Sequence, residues 1–323
     1  MSFRAAGNLL ISASLAVSAV TAGAAPLPAG PSPSTTSAPV TLATRSGAVA
    51  PTTVHRSRRR YRRHRVPPEG GVYARNAILL DPVTGEVLFE KNSSRSVPIA
   101  SLSKLMTALV FLEQQPDLDR QVGVRGEAIY GAGHTQLRRG EVVLLGELLR
   151  MSLMSSDNCA TRMIALESGL APDEFIARMN RKSIELGLTG TRFVEFTGLN
   201  EHNVSTAADI ARLLHAAANE PLIAEITTTR SYEFRTARRR HQIGNTNRLL
   251  YGRYEVLGGK TGFIREAGYC FATWVRAQGR DLIAVVLGAP TNATRFADAV
   301  RLIQKVPPAP AGSSPTSATT TSQ

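Results

Sequence analysis

The chain of 323 residues is poor in the residue types that usually announce a site: two cysteines, six histidines, one tryptophan and only 6% aromatics. Two cysteines, Cys159 and Cys270, are too few for a disulfide framework. They leave either a single bridge, allowed in an oxidising compartment, or two small buried thiols. The histidines are scattered, and no H-E-x-x-H or Cys/His cluster occurs, so no metal site is expected. No sequence feature calls for a cofactor either. After residue 24 there is no apolar run long enough to cross a membrane.

Charge is present but uneven. The formal balance is +13; residues 1–70 hold nine Arg and one Glu, or +8, which leaves +5 for the remainder. Basicity is therefore a property of the N-terminal segment more than of a fold. Residues 1–24 have the form of a secretory signal: Arg4, an apolar stretch from Leu9 to Val20, and the small-residue cleavage site Ala22-Gly23-Ala24. This predicts an exported, periplasmic protein, with the segment either cleaved or kept as an N-terminal anchor. Residues 25–70 are rich in Pro, Ser and Thr and read as a disordered linker. Within it, residues 55–65 contain seven Arg in eleven positions. Such a run is either a solvated tail or a tether to an anionic membrane or wall polymer. An exported protein rarely meets nucleic acid, so none is expected as a partner. Residues 307–323 form a second low-complexity tail.

Between these ends, residues 71–306 have the patterning of one α/β domain. Ala77–Leu80 and Glu86–Phe89 flank the turn Asp81-Pro82-Val83-Thr84-Gly85, a hairpin. Ser101–Gln114, Gly146–Leu153 and Pro172–Gly187 carry helical spacing. Tyr269–Arg276 and Leu282–Leu287 read as strands joined through residues 278–281. A final helix, Ala293–Val306, is expected to lay a Phe296, Val300, Ile303 stripe on that sheet.

The scarcity of lysine directs attention to the chemistry. There are five lysines against 33 arginines, so this chain uses Arg wherever a positive charge alone suffices. An amine can be deprotonated in a protein; a guanidinium cannot. Lys104 lies three residues after Ser101, on the same helix face, with Ser101 at the helix start where peptide N–H groups favour negative charge. A desolvated lysine beside a serine can act as its base. The same pair also suits an N-cap serine followed by a solvated lysine. Ser156-Asp157-Asn158 follows an apolar helix and falls on a loop, as a turn cluster or a polar site. Lys260-Thr261-Gly262 follows Gly258-Gly259, either as a turn or as a strand edge on which an extended peptide could align.

Taken in order, Ser-x-x-Lys, Ser-x-Asn and Lys-Thr-Gly resemble the signature of penicillin-recognising serine enzymes. The likeness extends through Ile99–Ala108, Leu153-Met154-Ser155-Ser156, Thr191-Arg192-Phe193-Val194, Thr197-Gly198-Leu199, Asn203–Ala207, Asn245-Thr246-Asn247 and Phe263. Across residues 72–306 the chain resembles the low-molecular-mass penicillin-binding proteins, nearest to the small D-alanyl-D-alanine endopeptidase type. The resemblance implies a transpeptidase fold of the penicillin-binding-protein and β-lactamase kind, an antiparallel sheet flanked by helices with a helical subdomain. It implies peptidoglycan peptides as substrates and β-lactams as covalent inhibitors. By the same resemblance, Ser101 is the nucleophile, Lys104 its base and Ser156 a proton relay. Asn158, Lys260, Thr261, Gly262 and Phe263 bind substrate, with the Ser101 and Phe263 N–H groups as oxyanion hole.

Two other functions share these motifs. A β-lactamase needs a carboxylate to activate the deacylating water, and Glu195 stands near the right place, although its spacing to Leu199-Asn200 is one residue too long. A non-catalytic penicillin sensor or wall-binding module would not need the motifs intact. The carboxypeptidase branch carries an Arg that pairs with the substrate's terminal carboxylate, where this chain has Pro290, which favours an endopeptidase. Deleting residues 55–65 should leave turnover of soluble wall fragments unchanged and weaken retention on wall or membrane at low salt. Equal retention of the two proteins excludes the tether.

Overall fold

The expected hairpin forms from β1 (Asn76–Leu80) and β2 (Val87–Lys91) in the computed structural model, which describes residues 71–307. The signal segment, the linker with its Arg-rich run and the tail from 308 onward lie outside these residues. Asp81 makes the turn, its Oδ1 accepting the N–H groups of Val83 and Thr84 before Gly85 reverses the chain at φ +76°.

Three long strands, β3 (Glu255–Ile264), β4 (Gly268–Ala277) and β5 (Arg280–Ala289), complete one antiparallel sheet of order β2-β1-β5-β4-β3. The first strand thus pairs with the last, Ile78 opposite Val285. The sheet closes around everything between β2 and β3. The β4–β5 turn is tighter than the sequence suggested. Gln278 and Gly279 both take positive φ, giving a two-residue turn, so the strands run on to the Ala277–Arg280 pair.

The unbroken apolar run in β5 is explained by burial on both faces. Leu282, Ala284 and Val286 face one core, while Ile283, Val285 and Leu287 face another. The first core is capped by the closing helix α7 (Asn292–Gln304). Its buried stripe is Phe296, Ala299, Leu302 and Ile303; Val300, placed on that stripe by the sequence reading, lies at its margin.

The second core belongs to α1 (Ser103–Glu113), α2 (Leu145–Arg150), α3 (Asn158–Leu166), α4 (Pro172–Glu185), α5 (Ala207–Ala218) and α6 (Pro221–Thr228). The α1 helix is buried on nearly every side, which is why its composition is apolar almost throughout. The helix expected at Gly146–Leu153 is α2 followed by a wide π turn, Met151–Ser155. Cys159 on α3 and Cys270 on β4 are both buried and free, the two-thiol alternative. Burial pushes the thiols up, to about 12 and about 11, so neither is a reactive thiolate.

Strand β3 comes close to α5 and α6 because Gly258 offers no side chain: a Cβ there would sit 2.8 Å from the Ala218 Cβ. Gly258→Ala should destabilise the domain by about 1–3 kcal/mol through overpacking. Its urea midpoint should fall, and an unchanged midpoint would show that the strand and helices part at no cost.

Candidate active site

Ser101 occupies a single 3-10 turn, Ala100–Leu102, that leads into α1. The turn is tightly held. Ala100 adopts φ +50°, an uncommon conformation for a residue with a side chain and one that clusters at functional sites. Gly198 lies against it so closely that a Cβ there would come within 1.9 Å of the Ala100 carbonyl oxygen. From the other side, a Cβ on Gly262 of β3 would stand 3.0 Å from the Ser101 nitrogen. Two glycines therefore press backbone against backbone around the serine, and Gly262 places the Lys-Thr-Gly strand at its N–H group.

Lys104 is fully buried. Its Nζ donates to Asn158 Oδ1 at 2.7 Å and to the Thr197 carbonyl at 2.6 Å, and stands 3.1 Å from Ser101 Oγ. A neutral amine has two N–H bonds and one lone pair. Two acceptors take the N–H bonds, and the remaining direction is the one toward the serine hydroxyl. Burial lowers the Lys104 pKa to about 7, against the pull of Glu195 and Asp157, which favour the charged form. A large fraction of the amine is thus neutral near pH 7, and it can take the Ser101 proton.

Glu195 organises the loop that supplies the Thr197 carbonyl. Its Oε2 accepts the Thr197 N–H and hydroxyl, and its Oε1 accepts the Gly198 N–H and Asn203 Nδ2. With both oxygens engaged inside the loop, this carboxylate is not arranged to activate a deacylating water. It fixes a carbonyl on the base instead.

Ser156 follows the π turn in left-handed conformation, φ +62°, half-buried. Its hydroxyl forms no hydrogen bond among the described residues, so no bond ties it to Ser101 or Lys104. Asp157 caps α3 through the Ala160 N–H and also accepts from Thr135. The turn-cluster and polar-site readings of this motif therefore both hold, because Asn158 beside it reaches Lys104. The Asn158 amide nitrogen donates to the Ala132 carbonyl.

On β3, Thr261 Oγ1 donates to Thr246 Oγ1 at 2.7 Å, and the Thr246 N–H donates to the Met154 carbonyl. This links the strand to the turn that bears Ser156. Lys260 is buried, with Nζ on the Thr261 carbonyl. Burial holds its pKa well below the ordinary value, and the charges of Lys104 and Arg295 push it the same way. Phe263 is half exposed and stacks on Tyr269.

Sequence reasoning missed Arg295. Pro290 stands where the carboxypeptidase branch has a carboxylate-binding arginine, and the sequence reading names no other arginine at this end of the sheet. Arg295, in the first turns of α7, donates instead to the Gly262 carbonyl at 3.1 Å, buried against the Tyr269 and Phe296 rings. A cation thus stands behind the Lys-Thr-Gly strand although position 290 holds none. The signal available in the sequence was its place beside Phe296 on the inward stripe of α7.

A model of the D-alanyl-D-alanine carboxypeptidase family, peptidase S11, matches residues 63–291. The chain belongs to this family. It is 35% identical to the D-alanyl-D-alanine endopeptidase of Pseudomonas aeruginosa, a match covering 73% of this chain and 80% of that one. To the Escherichia coli D-alanyl-D-alanine endopeptidase it is 36% identical, over 73% and 79%. Among solved structures, the Streptomyces K15 DD-transpeptidase superposes with a TM-score of 0.69 at 26% identity, covering 72% of this chain and 96% of that one. The cefotaxime-bound penicillin-binding protein D2 of Listeria monocytogenes superposes at 0.62 with 30% identity, over 72% and 96%. The transpeptidase fold implied by the motifs is the fold of this peptidase.

The pH dependence of Ser101 acylation tests the roles of Lys104 and Glu195 together. The rate should rise with pH through an inflection near 7 as Lys104 loses its proton. Glu195→Gln removes the largest influence holding that proton, so the inflection should move to lower pH. An unmoved inflection would reduce Glu195 to a structural brace.

Proposed function

We propose that the protein is an exported serine D-alanyl-D-alanine endopeptidase/carboxypeptidase that hydrolyses stem-peptide bonds of peptidoglycan in the periplasm and is acylated by β-lactams. The observation that carries this reading is the buried amine of Lys104, its two donors occupied and its third direction toward Ser101 Oγ. Membership of the D-alanyl-D-alanine carboxypeptidase family supplies the substrate class, and relatives named endopeptidases at 35% and 36% identity support cleavage of cross-links.

In this mechanism Ser101 Oγ attacks the carbonyl carbon of a D-alanyl residue while Lys104 Nζ takes its proton. The negative oxygen that develops is met by the N–H groups of Ser101 and Phe263, at the place where the 3-10 turn and β3 meet. Such pre-set donors commonly contribute the largest catalytic share. As the tetrahedral adduct collapses, the peptide C–N bond breaks and the leaving amine takes the proton from Lys104, with Ser156, whose hydroxyl makes no hydrogen bond among the described residues, as the relay once the substrate is bound. Water then attacks the ester carbonyl, returning the Ser101 hydroxyl and the product carboxylate. Lys260 keeps the site electropositive, Thr261 and Gly262 align the peptide along the edge of β3, and Asn158 holds Lys104. The intact set of groups argues against a sensor without turnover.

The signal-like residues 1–24 support export, and the run at 55–65 supports retention on an anionic membrane or wall polymer. Ser101→Ala should abolish both covalent penicillin labelling, read by intact mass, and cleavage of a cross-linked muropeptide. Labelling that persists removes Ser101 as nucleophile. Rapid loss of the wild-type adduct with muropeptides untouched would mean a β-lactamase.

A further inference from the structure

Away from the catalytic groups, the described surface carries a second concentration of charge. The hairpin of Ser231–Arg235 and Arg240–Gly244 brings Arg235, Arg238, Arg239 and Arg240 to its tip. The loop before Glu141 adds Arg138 and Arg139. All six lie at least partly exposed. The nearby acids do little to offset them. Glu141 is fully buried, bonded to His241 and Thr236, and Glu233 is committed to Arg240. The guanidinium groups of Arg138, Arg139 and Arg235 have no hydrogen-bond or ion-pair partner among the described residues. Like charges gathered on one surface repel one another, a cost that an anionic partner would relieve.

The patch is built into the wall of the active site. Arg239 donates to the Gln136 carbonyl, and Gln136 donates to the Gln242 carbonyl across to the hairpin. Arg238 donates to the Arg139 carbonyl. Four residues before Gln136, the same loop takes the Asn158 amide on Ala132, and Thr135 bonds Asp157. The hairpin's outgoing strand continues directly into Asn245-Thr246-Asn247, where Thr246 bonds Thr261. From that end to the tip the strand runs roughly 17 Å. A peptide of about five residues in extended form covers the same distance.

We infer that this arginine surface is an extended substrate subsite that binds free carboxylates of stem peptides neighbouring the one being cut. The inference rests on the peptidoglycan reading of the active site. A polymer whose uncut stems each end in a carboxylate offers anions at repeated positions, and guanidinium groups pair with carboxylates through two parallel hydrogen bonds. Continuity with the cleft wall favours the substrate polymer over a lipid surface, which would not need to lie along the catalytic loop. This surface is formed by residues other than those at 55–65, and it acts where many free carboxylates are offered at once, as on the polymer and not on a soluble fragment with one or two.

The test compares the full-length protein with its Arg138→Gln, Arg139→Gln, Arg235→Gln triple variant, which removes no internal bond. Both keep residues 55–65, so any difference belongs to the patch. Cleavage of a soluble cross-linked muropeptide and penicillin acylation should be unchanged within about twofold. Sedimentation with insoluble peptidoglycan should show roughly tenfold weaker binding at low salt, with the difference closing as salt screens exposed charges. Peptidoglycan whose carboxylates have been amidated should bind both proteins equally. Equal binding of the two proteins to untreated peptidoglycan overturns the inference. So does a difference that survives amidation, or one seen only with vesicles of phosphatidylglycerol and phosphatidylcholine. If the wild type leaves the soluble muropeptide uncut, the peptidase reading itself falls, independently of the patch.

Discussion

Much of the catalytic half of this molecule is arranged around one buried nitrogen. Lys104 has no water to solvate an ammonium ion, and its N–H bonds are met by one side chain and one backbone carbonyl from two distant parts of the chain. Desolvation makes the neutral form accessible, and the two acceptors aim what remains at Ser101. Several other features follow from keeping those acceptors still. Glu195 ties down the loop that offers the Thr197 carbonyl, Asp157 caps the helix that carries Asn158, and Gly198 lets its loop touch the serine turn.

The sheet and the helices have different parts in this arrangement. The helical region holds Lys104 and the Asn158 acceptor. The sheet contributes β3, pressed to the serine's N–H group by Gly262 and backed by the buried guanidinium of Arg295. Lys260 and Arg295 bring further cations to this part of the site; burial, and then the charges of Lys104 and Arg295, depress the proton affinity of Lys260. The same charge suits a site where negative charge develops on an oxygen. The site is thus a seam between the helical region and the sheet, which share one core, and its polarity comes from both.

Surface electrostatics extend the theme outward. The arginines of the 231–244 hairpin are fastened to the loop that also supports Asn158, so the arginine surface and the acceptor of Lys104 share one stretch of backbone. Of the nearby carboxylates, Glu141 is turned inward to His241, while the exposed Glu233 pairs with Arg240 alone. Restraint of this kind leaves the outer face electropositive while the buried acid remains paired.

The sequence by itself determined the β1–β2 hairpin, the helices α1, α2, α4 and α7, the strands β4 and β5 and the three motifs, because these depend on local spacing and on residue types whose chemistry is scarce in this chain. Ser101 and Lys104 meet because three residues along a helix return to one face, which any sequence reading can use. What the tertiary structure decided involves partners far apart in the chain. Thr197 stands 93 residues from Lys104, and Asn158 stands 54 away. Glu195, read along the chain as a possible water-activating acid, became a loop brace once its four donors were in place. Arg295, unremarked in the sequence, took a place behind β3 on the Gly262 carbonyl. The order of strands, which seats the first beside the last, likewise follows from packing two cores on one sheet. Local periodicity carries no record of such distant contacts, and that is where the limit of the sequence lay.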